Sequence, residues 1–367
     1  MLNGLQNKNQ GECIMNELWK ELKVGNMTLP HRLAMAPMTR SRALADGVPG
    51  EFTAEYYGQR ASLGLIISEG TQPSDDGQGY INTPGIYTEA HIEGWKKITS
   101  RVHEEGGHIF IQLMHVGRIS HPDNTPHHRQ PVAPSAITPK VEMFTAEGMK
   151  EAPTPRAFSK DEINEVIQEF RTAASAAIKA GADGVEIHGA NGYLIQQFLS
   201  ENSNQRKDEF GGTIENRARF AIEVTKAVVD EIGADKTGFR ISPSSTLHDI
   251  NEGELGPEVY RYLVTELGKL DLAYLHVMHV GNEPLLTEIR QIWSNPLLVN
   301  RAGRPLEQLT TDLDNDLADM VPVGGWALAN PDFVERIKNN APLNEADRNT
   351  FYGGGAEGYT DYPFLNK

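Results

Sequence analysis

The sequence predicts a single (β/α)8 TIM barrel, and three observations carry that prediction. Eight short apolar runs rich in β-branched residues recur along the chain, each bounded by polar or turn residues. They are close to continuously apolar rather than alternating, as parallel strands buried on both faces require. Helical patterns lie between them, and no linker divides the chain. A doubly wound sheet is the competing architecture, but no Gly-x-Gly-x-x-Gly opens a helix after the first run.

The runs are Arg32–Pro37, Leu63–Gly70, Ile109–His115, Gly184–His188, Thr237–Pro243, Ala273–His279, Pro296–Asn300 and Met320–Gly325. The clearest helix follows Ser159, where Ser159-Lys-Asp-Glu162 is a capping box. Ile163, Val166, Ile167, Phe170, Ala174, Ala177 and Ile178 then fall on one face, and Lys179-Ala180-Gly181 gives a basic last turn and a terminating glycine. Further helices are expected over 89–105, 213–231, 257–269, 285–293, 304–318 and 331–339, the last opened by Asn330 as cap and Pro331 at the first helical position. Segment 119–158, rich in proline and histidine, is long for a loop. It is read as an excursion over the barrel mouth or a mobile lid.

Of 367 residues, 39% are hydrophobic, enough for one large core. The net charge of −16 argues against non-specific binding to nucleic acid or an anionic membrane. A single cysteine, Cys13, excludes an internal disulfide and a thiolate metal site. Residues 1–17 are polar, lack a secretory apolar segment and are read as a disordered extension; the barrel domain is placed at 18–367. No apolar run is long enough to span a membrane, and a cytoplasmic location is expected.

In a barrel of this kind chemistry sits where the strands end. Those ends carry Thr39, Gly70, Gln112 with Met114, His188 with Asn191, Arg240, and Gly324 with Gly325. This is a mixed donor set without clustered acids or metal-ligand spacing, suited to a planar heterocycle bearing carbonyl and ring N–H groups. In Gly184-Val-Glu-Ile-His-Gly-Ala-Asn-Gly-Tyr193, His188 and Asn191 could grip one oxygen while Tyr193 offers a proton. On its own the segment fits equally a histidine and an amide satisfied at a strand end, with Tyr193 in the core. No Ser-His-Asp order or Gly-x-Ser-x-Gly is present.

Several motifs together resemble the old yellow enzyme family of flavin-dependent ene-reductases: Met35-Ala-Pro-Met-Thr-Arg40, Arg60–Thr71, Gln112–Arg118, Gly184–Leu199, Ser203-Asn-Gln-Arg206, Arg240-Ile-Ser-Pro243, Ala329-Asn-Pro-Asp332 and Phe351–Gly355. The resemblance spans about residues 18 to 365 and is greatest to the N-ethylmaleimide, pentaerythritol tetranitrate and morphinone reductase branch. It implies a (β/α)8 barrel holding FMN, reduced by NADPH or NADH and reoxidised by small electrophilic alkenes. It implies that Pro37, Met38, Thr39, Gly70, Gln112 and Arg240 contact the flavin ring. His188 and Asn191 would hold the substrate oxygen, Tyr193 would deliver the proton, and Tyr80, Met114, His248 and Tyr352 would line the substrate cavity. A monomer or small homo-oligomer is expected.

The pattern departs at the last two strand ends. The family carries Gly-x-Gly after strand seven and Gly-Arg after strand eight for the FMN phosphate. Here the chain reads Asn300-Arg301-Ala302-Gly303-Arg304 and Val323-Gly324-Gly325-Trp326. Gly324 and Gly325 are expected to present backbone amides to the phosphate, with Arg301, nearer the strand end, or Arg304 as a replacement cation; both arginines fit solvated helix-start residues equally. Two other readings stay open: a flavin-binding barrel with weak turnover, and a flavin-free lyase or isomerase, for which no Schiff-base lysine or paired acids stand at the strand ends.

Overall fold

The computed structural model describes residues 17–365. Cys13 and the expected extension, apart from Glu17, lie outside the described residues. All eight apolar runs form strands: β1 (Leu33–Met35), β2 (Leu65–Ile67), β3 (Ile109–Leu113), β4 (Gly184–Gly189), β5 (Thr237–Ile241), β6 (Tyr274–Met278), β7 (Leu297–Asn300) and β8 (Val321–Val323). They pair in parallel in chain order, and β8 pairs with β1. A parallel bridge between Leu298 and Met320 joins β7 to β8 and closes the ring.

The closed ring divides the apolar residues into two cores. Between strands and helices lies the larger, which includes Val185, Ile187, Phe239, Ile241 and the helix Lys160–Lys179 through Ile163, Val166 and Phe170. The smaller fills the ring's lower end with Ala34, Leu65, Ile67, Phe110, Tyr274 and Leu298. Gly184 and Gly238 make room there, since a Cβ on either would meet the ring of Phe110 or Tyr274 at 2.5 and 2.2 Å. An antiparallel ribbon, Leu22–Val24 with Met27–Leu29, covers that end with Val24 and Leu29. Inward residues alternate along each strand, so the next positions up, Gln112, Glu186, Arg240 and His276, form a buried polar layer.

The capping box at Ser159 is present, with Glu162 N donating to Ser159 Oγ at 3.2 Å and Ser159 N donating to Glu162 Oε2 at 2.7 Å. Helices Glu89–Glu104, Ile214–Ile232, Gly256–Gly268 and Glu283–Ile292 match the expected segments. The expectation for 304–318 is corrected: a 3-10 turn at Leu306–Gln308 and one helical turn at Thr311–Asp314 replace a helix. Asp316 sits at φ 56°, and the Asp312 carbonyl takes both the Leu317 and Ala318 amides, which ends the helix early. The final helix is Phe333–Lys338 with Asp332 at its cap position. Asn330 instead bonds Trp326 O and the backbone of Asn344. Helices Thr53–Gln59 and Leu194–Leu199 were not legible in the pattern.

The 119–158 excursion is built rather than loose. It carries a hairpin, Glu142–Thr145 with Gly148–Glu151, and its Val132–Ala133 pairs with Arg156–Ala157. Met143 and Ala152 pack with Met114, Val116, Ile119 and Tyr193, which seats the excursion against the mouth.

Candidate active site

The mouth begins where β4 ends. Val185 and Ile187 point outward, leaving Glu186 and His188 facing the ring. After Gly189 the chain turns through Asn191, at φ 57°, a left-handed backbone that asparagine tolerates better than most residues. Gly192 follows at φ 78°, where a Cβ would also meet Leu247 O at 2.5 Å. The turn is braced on every side: Asn191 N donates to Ser242 Oγ (2.8 Å), Gly192 N to Gln196 Oε1 (2.7 Å) and Leu194 N to His115 O (3.0 Å). The amide groups of buried Gln196 and Gln197 tie the short helix to Ser242, Glu252, Val116 and Gly192.

Two side chains at this braced turn, those of His188 and Asn191, are not themselves tied. His188 is buried, yet among the described residues its Nδ1 has no partner, and neither does Asn191 Oδ1. Burial, then the nearby Arg240, hold the His188 imidazole well below its usual ionisation range, so it is neutral. Tyr193 packs edge-on to His188 with ring centroids 5.2 Å apart. Its hydroxyl is pushed up to about 12 by burial, and it lies 2.9 Å from the Tyr80 hydroxyl. His248 completes the wall, 5.1 Å from Tyr193 between centroids, with Nδ1 on Asn191 O at 2.6 Å.

Below them the polar layer is organised by a residue the sequence reading missed. Glu186 accepts from Gln112 Nε2 at 2.7 Å and pairs with His276 Nδ1 at 2.8 Å. Burial opposes its charge, but His276, Arg240 and Gln112 outweigh burial and keep it ionised. Because Glu186 takes an N–H of Gln112, the Gln112 carbonyl is turned away from it and left as an acceptor. Among the described residues Arg240 makes no side-chain hydrogen bond, and its Nε is buried without a partner. The signal was present: a carboxylate two residues before His188 shares its face of a buried strand and must find partners.

The remaining candidates arrange themselves around this floor. Pro37, Met38 and Thr39 leave β1 half-buried. Gly70 lies under Met114, whose Sδ would be 2.5 Å from a Cβ there. Tyr352 stands 68% exposed and is felt by Tyr80 and Tyr193, so it marks the rim rather than a wall. Gly324 and Gly325 open the helix Gly325–Ala329; a Cβ at Gly325 would meet nothing within 4 Å. Arg301 is a different case. Nε and one Nη2 N–H go to Asp312 (2.8 and 2.9 Å), Nη2 also to Glu283 Oε2 (3.0 Å), and Nη1 to Glu283 Oε1 and His279 Nδ1. Its N–H groups are all engaged, so in this arrangement none is left for a phosphate. Arg304 is held by Asp312 as well.

Residues 17–344 match the model of the NADH:flavin oxidoreductase / NADH oxidase family. The chain belongs to the old yellow enzyme family. It is 39% identical over 360 residues to 12-oxophytodienoate reductase 2 of Arabidopsis thaliana, covering 94% of each chain. It is 40% identical to a probable flavin mononucleotide-dependent alkene reductase of Leishmania infantum, covering 94% of this chain and 97% of that one. Among solved structures, morphinone reductase in complex with tetrahydroNAD superposes with a TM-score of 0.91 at 43% identity, covering 95% of this chain and 98% of that one. The old yellow enzyme homologue from Zymomonas mobilis gives 0.91 at 39% identity, over 95% and 99%.

As an old yellow enzyme family member the protein is an oxidoreductase that uses FMN with NADH or NADPH. The residues present fit that cofactor. Arg240 offers an uncommitted buried cation, Gln112 an oriented acceptor, Thr39 a hydroxyl at the first strand end, and Gly324 with Gly325 a stretch free of side chains. No helix among the described residues is long and apolar enough to cross a membrane, and no metal-binding cluster is found among them.

Proposed function

We propose that the protein is an NAD(P)H-dependent FMN ene-reductase acting on the activated C=C bond of α,β-unsaturated carbonyl or nitro compounds. The observation that carries this reading is that His188, packed edge-on to the protonated phenol of Tyr193, and Asn191 in the turn between them make no side-chain hydrogen bond among the described residues. A carbonyl or nitro oxygen only accepts, so it would take hydrogens from the Asn191 amide nitrogen and the neutral imidazole rather than pair with Asn191 Oδ1. Arg240 and Gln112 would hold FMN, which when bound would supply the hydride for the substrate's β-carbon. Neutral His188 and the Asn191 amide donate to the carbonyl or nitro oxygen, drawing charge away from the double bond. Tyr193 then transfers its proton to the α-carbon, and one hydrogen molecule's worth of atoms has been added across the bond.

The test is stopped-flow of the two half-reactions in Tyr193→Phe. Oxidation of the reduced enzyme by 2-cyclohexenone should slow by about 10²–10⁴-fold, and reduction by NADPH should hold its rate. Equal rates in both proteins would mean that water or another residue is the donor.

A second reading, a flavin-binding barrel with weak turnover, is favoured by Gly325 standing where the family carries an arginine and by the engagement of Arg301 with Glu283 and Asp312. Bleaching of the yellow protein by NADPH with recovery on adding 2-cyclohexenone would exclude it.

A further inference from the structure

We propose that His248 supplies, by way of Tyr80, the proton that Tyr193 hands to the substrate, and that its protonation decides whether the Tyr193 hydroxyl points into the cavity. The proposal rests on Tyr193 being the proton donor. Three contacts define the line: Tyr193 O to Tyr80 O at 2.9 Å, Tyr80 O to His248 Nε2 at 3.4 Å, and His248 Nδ1 to Asn191 O at 2.6 Å.

A backbone carbonyl only accepts, so the His248 Nδ1 carries a hydrogen and Nε2 of the neutral ring is the lone-pair side. Tyr80 is then the donor to Nε2. A phenol has one proton, so Tyr80 can only accept from Tyr193. In this state the chain of hydrogens runs away from the cavity, and Tyr193 directs its proton at Tyr80 rather than at a substrate. Protonation of His248 reverses each link. Nε2–H donates to Tyr80, Tyr80 donates to Tyr193, and the Tyr193 proton is freed toward the oxygen clamp of His188 and Asn191.

The same line restores the acid. As the α-carbon gains its C–H bond, the Tyr193 O–H bond breaks. Tyr193 takes the Tyr80 proton, Tyr80 takes the His248 Nε2 proton, and the neutral imidazole is recharged from solvent, to which it is half-exposed. One proton enters from water for each one delivered, and nothing else is oxidised or reduced.

The loop is built to hold this ring. His248 and Asp249 lie at φ 59° and 58°, a strained pair for non-glycine residues. Arg118 Nη2 and Asn202 Nδ2 both donate to Asp249 O, at 2.8 and 2.7 Å, and Lys140 N donates to the Asp249 carboxylate. Asp249 is thereby turned away from the ring. The groups facing His248 are Tyr80, Tyr193 and His188, with Tyr352 at the rim and Arg240 behind His188. Burial holds the His248 ionisation below its usual 6.5, against the opposing bond to Asn191 O. The relay therefore loads as pH falls through a point below 6.5.

The test uses the FMN-loaded protein, oxidised in a single turnover by 2-cyclohexenone between about pH 5 and pH 8, with the His248 ring followed by NMR over the same range. The wild-type rate should rise toward acid with a midpoint matching the His248 titration. His248→Asn, chosen because asparagine accepts a left-handed backbone, should flatten the profile and lose about tenfold at the acid end. Tyr80→Phe should do the same, and the double variant should be no slower than either single one. A profile in His248→Asn that matches the wild type, or a kinetic midpoint apart from the NMR titration, would overturn the relay while leaving Tyr193 as donor. Tyr193→Phe with an unchanged rate would remove both.

Discussion

Arg42 and Arg60, beneath the C-terminal segment, and Arg240, in the barrel mouth, are all buried guanidinium groups, and the fold treats them oppositely. Arg60 gives its N–H groups to Ala327 O, Tyr56 O, Gln59 Oε1, Leu328 O and Tyr359 O, and lies 4.0 Å over the Tyr56 ring. Arg42 likewise reaches Gly355 O, Arg40 O, Phe351 O, Thr350 O and Glu357 O. These closed sets pin the tail of the chain across the barrel. Arg240 closes no such set, and neither do His188 and Asn191. A buried polar group whose bonds end inside the protein holds the fold; one whose bonds are left open on a rigid strand end is arranged for something that arrives.

The largest effect expected from this contrast is in the clamp. Arg60→Met would leave five oxygens without their donor and should cost about 3 kcal/mol or more of stability, read as a lower urea midpoint. A midpoint within error of wild type would break the comparison on the structural side.

Arg301 sharpens it, because position places this residue at the mouth and bonding places it with the clamp. Arg301→Ala should destabilise by about 2 kcal/mol, less than the loss of a whole buried pair because Arg304 remains on Asp312. FMN affinity should stay within about twofold, under 0.5 kcal/mol. A tenfold weaker FMN complex would show that the guanidinium changes partners and that closed bonding is not a reliable sign of a structural role.

Thr39→Ala gives the smallest effect. Losing one hydrogen bond of roughly 1 kcal/mol, felt by the reduced flavin, lowers the two-electron potential by about 20 mV. A rise in potential would contradict a hydroxyl donor at that strand end.

Much of this architecture could be read from the chain. All eight strands were legible because each is a buried apolar run with a turn at both ends, and helix Lys160–Lys179 because its cap and its stripe agree. The reading failed where tertiary bonding overrides local pattern. Asp312 looks like an ordinary helical residue, but its carboxylate is claimed by Arg301 and Arg304 and its carbonyl by the following turn, so 304–318 does not continue as a helix. Helix Leu194–Leu199 was hidden because Gln196 and Gln197 are fully buried, which defeats an amphipathic stripe. At the site, residue identities were legible through the strand-end rule and the family motifs. The Glu186 link to Gln112 and His276, and the Tyr193–Tyr80–His248 line, join residues 74 to 168 positions apart and exist only once the barrel closes.

The contrast between closed and open bonding is tested most directly by measuring stability and ligand affinity together in His188→Ala/Asn191→Ala. Neither side chain hydrogen-bonds to another group among the described residues, so the unfolding free energy should change by less than about 1 kcal/mol. Affinity for a phenol bound to the FMN-loaded protein should fall by roughly 0.5–1.5 kcal/mol for each hydrogen bond lost. A double variant that unfolds more easily while binding the phenol as tightly as the wild type would contradict the account.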